Sequence, residues 1–268
     1  MSRSQGNVMS SDKSTLTKRC KESISDFSAK LYSQLYKSEK NIFFSPLSIA
    51  TCLQMVYHGS KGNTKQQCAD VMGTLGIEDV DLLSFYKDLI AALNSKDEDT
   101  KLSLANKVWI KDHFAVHDDY KKMLQEQLDA DVVRNPFSDP KAVADEVNGW
   151  VKGQTQGMIE ELINPSAITD LTRLILCNAI YFKGLWQTPF DTSETEKFHL
   201  NAKETKDVTM MRHHGDKSML YGENDVARFV SLRYKGAKNM SMMVILPQVC
   251  AAPLQSYYHM CNVTYLTF

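Results

Sequence analysis

Three features of the sequence predict an α+β fold. Helical periodicity runs through the first half, one nearly continuous apolar run lies in the middle, and short strand-like segments follow from Lys197 onward. Ile24, Phe27, Leu31 and Leu35 recur at helical spacing and predict an amphipathic helix over Lys21 to Tyr36, after a polar segment from Met1 to Cys20. Ile42-Phe43-Phe44 predicts a short apolar strand. It leads into Ser45-Pro46, where a serine suited to cap and a proline suited to the first turn open a helix carrying Ile49, Leu53, Val56 and Tyr57 as far as Gly59. Asn63 and Gln66 have capping-box spacing and predict the start of a helix that ends near Gly73. Leu82 to Leu93 is a further helical stretch, closed by the polar loop Asn94 to Thr100.

Leu102 to Ile110 alternates and ends in Val108-Trp109-Ile110, which predicts a strand. Asp118 to Leu128 returns to helical spacing. Asp139-Pro140 opens another helix, with Val143, Val147, Trp150 and Val151 on one face. Leu171 to Phe182 is apolar almost throughout, as in a strand buried on both faces. The remaining strands are predicted at Phe198–Leu200, Val208–Met211, Ser218–Tyr221, Ala227–Arg233 and Ser241–Leu246, as antiparallel neighbours.

Composition narrows the function classes. With 268 residues, 43% hydrophobic and 24% charged, the chain has material for a sizeable core. A net charge of -1 provides no global field to draw nucleic acid or anionic lipid. No apolar segment approaches the ~20 residues of a membrane helix, and Met1 to Cys20 lacks the apolar stretch of a secretory signal, so a cytosolic start is expected. The cysteines at 20, 52, 68, 177, 250 and 261 form no CxxC pair. This pattern suits reduced thiols better than a disulfide framework or a zinc site.

The spacings of common catalytic machinery are missing. There is no GxSxG elbow, HExxH, Walker loop or GxGxxG, so an enzyme is not expected. His213 and His214 are adjacent and on a strand would point to opposite faces. His199, on a predicted neighbouring strand, is the one residue that could join either, and surface histidines are the simpler reading; no metal or other cofactor is expected. Cys177, in the most apolar strand, reads as inert packing.

Several blocks together resemble the serpins, the superfamily of serine-protease inhibitors. Asn41 to Ala50 (NIFFSPLSIA) is similar to the entry into the family's second helix, and Gly59 to Thr64 (GSKGNT) to the turn after it. Leu174 to Phe190 (LILCNAIYFKGLWQTPF) is similar to the third strand of the large central sheet and its exit. Val208 to Met211 and Met242 to Pro247 (MMVILP) match later strands in the family's order, and the likeness covers about residues 20 to 248. The resemblance implies N-terminal helices packed on a large central sheet with further antiparallel sheets. It also implies inhibition of serine, or cysteine, proteases by a suicide-substrate route: a cleaved reactive loop inserts into the central sheet as a new strand. The protease supplies all the bond chemistry.

By the resemblance Ser45, Pro46, Ser48 and Asn178 form the "shutter", polar groups beneath the sheet where strands part, and Trp186 stands at the "breach" where insertion begins. On the residues alone, Ser45 and Pro46 also read as a cap and a helix-start proline, Asn178 as a satisfied core amide, and Trp186 as a core or rim aromatic. Some relatives bind heparin through a basic fourth helix. Here Asp79 to Leu93 holds only Lys87 against Glu78, Asp79, Asp81 and Asp88, so no heparin site is expected there.

The likeness stops after Gln248. The tail from Val249 to Phe268 has no evident period and no charged residue, and reads as an atypical end, with residues 1–20 a polar lead and 21–248 a partial serpin domain. No segment resembles the family's reactive loop, so the chain is expected not to be inhibitory itself, with no reactive-site bond. A non-inhibitory binding or chaperone-like relative is the alternative. Strands 171–182 and 241–246 are expected to present open apolar edges. Relatives without a cleaved signal also reach the outside of the cell, so extracellular release is a second expectation for location.

Overall fold

In the computed structural model, which describes residues 5–36, 41–94, 98–200, 203–214, 219–236, 240–247 and 264–267, the alternation of Leu102 to Ile110 becomes β1 (Thr100–Lys111), the middle strand of a three-stranded sheet. β2 (Ala130–Asn135) pairs parallel to it, from Asn106 opposite Ala130 to Lys111 opposite Asn135, and β3 (Leu174–Gly184) is its other neighbour. The sequence reading misses β2, because its six residues hold only two adjacent β-branched side chains among polar ones. β3 starts three residues later than expected. Chain contacts gather into two units, residues 1–95 with 102–182 and residues 96–101 with 183–268.

The first unit carries the helices. α1 (Gln5–Leu35) begins sixteen residues before the expected Lys21. Cys20, 1% exposed, shares a core with Tyr57, Ala69, Met72, Ile77 and Leu82, and Leu16 packs against it, so the earlier turns have an apolar anchor that the polar composition conceals. α2 (Pro46–Gly59) starts as read, with Ser45 accepting from the Ser48 amide at 3.2 Å and Pro46 in the first turn. The expected strand at Ile42 to Phe44 does not form: Phe43 is fully exposed, and no strand pairs with this segment among the described residues. α3 (Gly62–Met72) follows, and its N-cap is Lys61 with no side-chain bond, so Asn63 is not a capping residue. It ends at Gly73, whose φ of 68° favours a residue without Cβ. α4 (Asp79–Leu93) and α5 (Asp118–Leu128) agree closely with the expectation, α4 starting three residues earlier.

α6 (Pro140–Gln154) is capped by Asp139, which accepts from the Lys141 amide at 2.9 Å. Its buried Val143, Ala144 and Val147 join Trp109 of β1 and Cys177 of β3 in one core group. Each fully buried valine contributes about 1.5–3 kcal/mol relative to exposure. Polar bonds complement this burial. The Trp109 indole donates to Glu146 Oε1 at 2.7 Å, and the Asn135 amide donates to Glu146 Oε2 at 2.7 Å, so one carboxylate ties α6 to β1 and β2. Trp150 meets Trp109 edge-on, with centroids 5.6 Å apart.

The second unit is built of strands. β4 (Thr192–His199) and β5 (Thr205–Arg212) form an antiparallel ribbon with Thr192 opposite Arg212 and His199 opposite Thr205. β6 (Leu220–Glu223), β7 (Ala227–Arg233), β8 (Ser241–Pro247) and β9 (Thr264–Thr267) form a four-stranded antiparallel sheet in that order. β9 corrects two expectations at once. The tail is not without regular structure, and the edge of β8 is paired from Ser241 to Val244 instead of being open. Residues 249–263 and 268 of that tail lie outside the described residues. Among the described residues, no helix is long and apolar enough to cross a membrane.

Two glycines of helices predict opposite effects of the same change. A Cβ on Gly59 would come 2.9 Å from the ring of Tyr120, whose hydroxyl is tied to the Met55 carbonyl at 2.8 Å, whereas a Cβ on Gly149 in α6 meets nothing within 4 Å. Gly59→Ala is expected to destabilise by about 1–3 kcal/mol through overpacking. Gly149→Ala is expected to stabilise by about 0.5–1 kcal/mol through lost chain entropy. Urea unfolding of the two variants beside the natural chain measures both signs.

Candidate functional site

Four of the five residues singled out by resemblance lie in the first unit, and three of them share a hydrogen-bond chain. The Ser45 hydroxyl accepts from the Ser48 amide. The Ser48 hydroxyl in turn donates to Asn178 Oδ1 on β3. Asn178 Nδ2 donates to Asn106 Oδ1 on β1 at 2.7 Å, and Asn106 Nδ2 donates to the Leu128 carbonyl at the end of α5 at 2.7 Å. All side-chain donations from Ser48 onward run in one direction, so each bond polarises the next. Pro46 takes no part in the bonding and acts by setting the first turn of α2.

The alternation of the strands explains this geometry. Asn178 lies between Cys177 and Ala179, both buried, with Cys177 facing α6; the side chain of Asn178 therefore points to the other face, toward α2. Asn106 occupies the same stripe of β1 as Leu104, Val108 and Ile110, is 2% exposed, and was not singled out from the sequence. One signal could have found it: a lone amide in an otherwise apolar alternating stripe must have a partner.

The arrangement can exchange partners. A serine hydroxyl and two amides offer several donors and acceptors, so β1 and β3 are joined beneath the sheet by groups able to re-pair after a shift, which buried leucines could not do. Nearby thiols add no chemistry. Burial pushes Cys177 up to about 11 and Cys52 up to about 12, the latter with a smaller contribution from Cys177, so both stay protonated and non-nucleophilic at neutral pH.

Trp186 belongs to the second unit and sits half-buried in a backbone clasp. It forms an antiparallel bridge with Tyr234 and stacks on that ring, with centroids 4.7 Å apart and planes inclined by 14°. Phe190 meets it edge-on at 6.4 Å. Around the pair, the Gln187 amide donates to the Arg233 carbonyl at 2.9 Å and the Lys235 amide to the Leu185 carbonyl at 2.8 Å. Asp99 accepts from the Leu185 amide at 3.1 Å and pairs with Lys235 Nζ at 3.1 Å. Tyr234, 6% exposed, is the second residue missed in the sequence, where a single tyrosine after a strand carries no distinguishing signal.

His213 and His214 lie just past the end of β5, not on a strand as expected, and both approach Asp191, while His199 does not join them. His213 Nδ1 lies 3.2 Å from Asp191 Oδ1, beside the Thr192 end of the ribbon, and the hydrogen bond from the His214 amide holds the Asp191 carboxyl below its usual range. His199 pairs with Thr205 at the opposite end of the ribbon, so it cannot join them. Among the described residues no three His, Cys, Asp or Glu side chains form a group able to hold a metal. In α4, Asp79 is engaged by Tyr57, whose hydroxyl donates to Oδ1 at 2.7 Å, and by Lys65.

Breaking the relay at its centre has the larger predicted cost. Asn106→Leu leaves the Leu128 carbonyl and one proton of Asn178 without partners, a loss of about 1–3 kcal/mol. Ser48→Ala, at the half-buried end, is expected to cost about 0.5–1.5 kcal/mol. The double variant should cost less than the sum of the two, because the second change removes a bond the first has already weakened. Urea unfolding of the three variants measures this.

Comparison with known proteins places the geometry in context. A family model described as serpin (serine protease inhibitor) matches residues 22–261. The chain is similar to Ipis-1 of Ixodes persulcatus, with 36% identity over 232 residues, 84% of this chain and 60% of the relative. It is also similar to the leukocyte elastase inhibitor of Equus caballus, with 35% identity over 226 residues, 82% of this chain and 59% of the relative. Among solved structures, a highly specific serpin of the insect Tenebrio molitor superposes with a TM-score of 0.79 at 27% identity, covering 93% of this chain and 70% of that one. The chain thus spans about 60% of the length of these two sequence relatives.

Proposed function

The chain belongs to the serpin family, and on that premise we propose that it is the larger part of a serine-type endopeptidase inhibitor acting by loop insertion, with serine or cysteine proteases as partners of the full-length form. The observation that most supports this reading is the relay Ser48–Asn178–Asn106, which bonds β1 to β3 through groups that can re-pair. A sheet built only to be stable would gain more from apolar side chains there. A sheet that admits a new strand needs polar contacts that can be broken and remade at similar free energy.

In this mechanism Trp186, with Tyr234, marks the breach, and the stacked rings hold the backbone clasp around Leu185 and Lys235. Catalysis by the chain itself is not part of the proposal, and no heparin site is proposed on α4, whose first turn carries Asp79 and Asp81. The 268 residues hold no segment resembling a reactive loop, so the inhibitory act belongs to a form that carries one. For location we propose a reducing compartment, in keeping with Cys20, Cys52, Cys68 and Cys177 all being free thiols.

Two mixtures test the proposal. The chain of 268 residues, incubated with an elastase-type and a trypsin-type serine protease, is expected to be digested without an SDS-resistant band. A chain extended to the relatives' length from the same gene is expected to give such a band with at least one of them. A covalent band from the 268-residue chain would disprove the assignment of the reactive loop to a longer form. Cleavage of the extended chain as a plain substrate, with no gain in thermal stability of the cleaved product, would favour a non-inhibitory binding role.

A further inference from the structure

One titratable group in the first unit has no role in the relay and a buried ring nitrogen without a hydrogen-bond partner among the described residues. His58 lies in the last turn of α2, its ring edge-on to Tyr57 with centroids 4.9 Å apart, and its Nε2 is buried with no hydrogen-bond partner among the described residues. The groups around it are already paired with one another. Tyr57 donates to one oxygen of Asp79, Lys65 of α3 pairs with the other, and the Lys65 ammonium also lies over the Tyr57 ring, 4.8 Å from its centroid.

A protonated His58 would therefore enter a corner where the Asp79 carboxylate is already committed and a lysine cation is close. The groups packed on its neighbours offer little help. Glu78, the N-cap of α4, acts on Tyr57; Cys20 of α1 shares the core of Tyr57, Tyr120 of α5 lies against Gly59, and burial raises both of these groups. The C-terminal carbonyls of α2 favour a cation, yet burial outweighs this.

We infer that His58 makes the seat of α2 against α3 and α4 acid-sensitive: protonation of its ring loosens the corner formed by Tyr57, Lys65 and Asp79. This goes beyond the proposed inhibitory role and does not rest on it. Burial, with Lys65 adding to it and Asp79 opposing it, lowers the group from its ordinary 6.5 to about 4. A depressed histidine pKa means that the unfolded chain takes up the proton first. The stability tied to neutral His58 is complete above pH 6.5 and is lost as pH falls from there toward 4. At pH 5 the folded-to-unfolded ratio falls roughly thirty-fold from this group alone, compared with pH 7.5.

The test uses the full chain and its variants His58→Leu and His58→Gln. Urea unfolding at pH 7.5 and pH 5.0 is expected to show a loss in the natural chain larger by roughly thirty-fold than in either variant. Hydrogen exchange at pH 5.0 should show faster exchange in the last turn of α2 for the natural chain than for the variants. Parallel losses in all three chains, or equal exchange in that turn, would overturn the inference. If Leu fails to fold, Gln decides. The natural chain gives an independent reading by NMR: a His58 ring that stays neutral down to pH 5 supports the device, and one that titrates near 6.5 refutes it.

Discussion

The first unit depends on a single constraint, the two-residue period of its sheet. β1 sends Trp109 to one face and Asn106 to the other. From the first face Trp109 binds Glu146 and packs against Val143 and Val147, so α6 is fixed by both burial and a carboxylate. From the second, Asn106 joins Asn178 and the end of α5. A register slip of one residue would exchange these faces, placing an indole where an amide must bond and an amide beneath the valines of α6. Neither could be accommodated without an unpaired buried polar group.

The two faces are stabilised differently. The α6 face is mainly apolar, and its loss would cost several buried side chains together. The α2 face combines apolar burial with a polar chain whose net worth per bond is modest but whose disruption leaves desolvated groups. Such a chain contributes little to total stability and much to specifying which strands lie side by side. In a fold whose proposed work is to rearrange that sheet, placing the re-pairable contacts on one face and the dense packing on the other lets the strands shift while the apolar core stays closed.

The sequence made the elements with strong periodicity legible, and the reasons for the failures are physical. α2, α5 and α6 announce themselves through caps, prolines and apolar spacing, and each forms where expected. β2 forms from a segment whose apolar side chains are Ala130 and two adjacent valines, because Asn106 to Lys111 of β1 offer it an edge to pair with. The opposite error occurs at Ile42 to Phe44. These residues have a strand's composition, but without a partner among the described residues they form no regular element, and Phe43 is exposed. Ser48 and Asn178 were legible as a pair only through resemblance, since 130 residues separate them and nothing local requires them to meet. Asn106 and Tyr234 depend on neighbours that composition cannot supply.

Strand edges connect these observations. β8 is seven residues long, and β9 pairs with only four of them, Ser241 to Val244. The short strand satisfies part of the edge's backbone groups and blocks edge-to-edge association along that stretch, while Ile245 to Pro247 lie beyond it. β3, by contrast, pairs with β1 on one side, and no described strand pairs with its other side. Its alternation of buried Cys177 and Ala179 with polar Asn178 specifies the register of any strand that would pair there under the proposed mechanism. By that register, such a strand would present small or polar groups toward α2 and apolar ones toward α6. In that mechanism Asn178 would offer its amide to the new neighbour while Ser48 and Asn106 re-pair. In the proposed inhibitory mechanism, the side of β3 away from β1 would be the place of insertion, and the polar chain beneath it would lower the cost of making room.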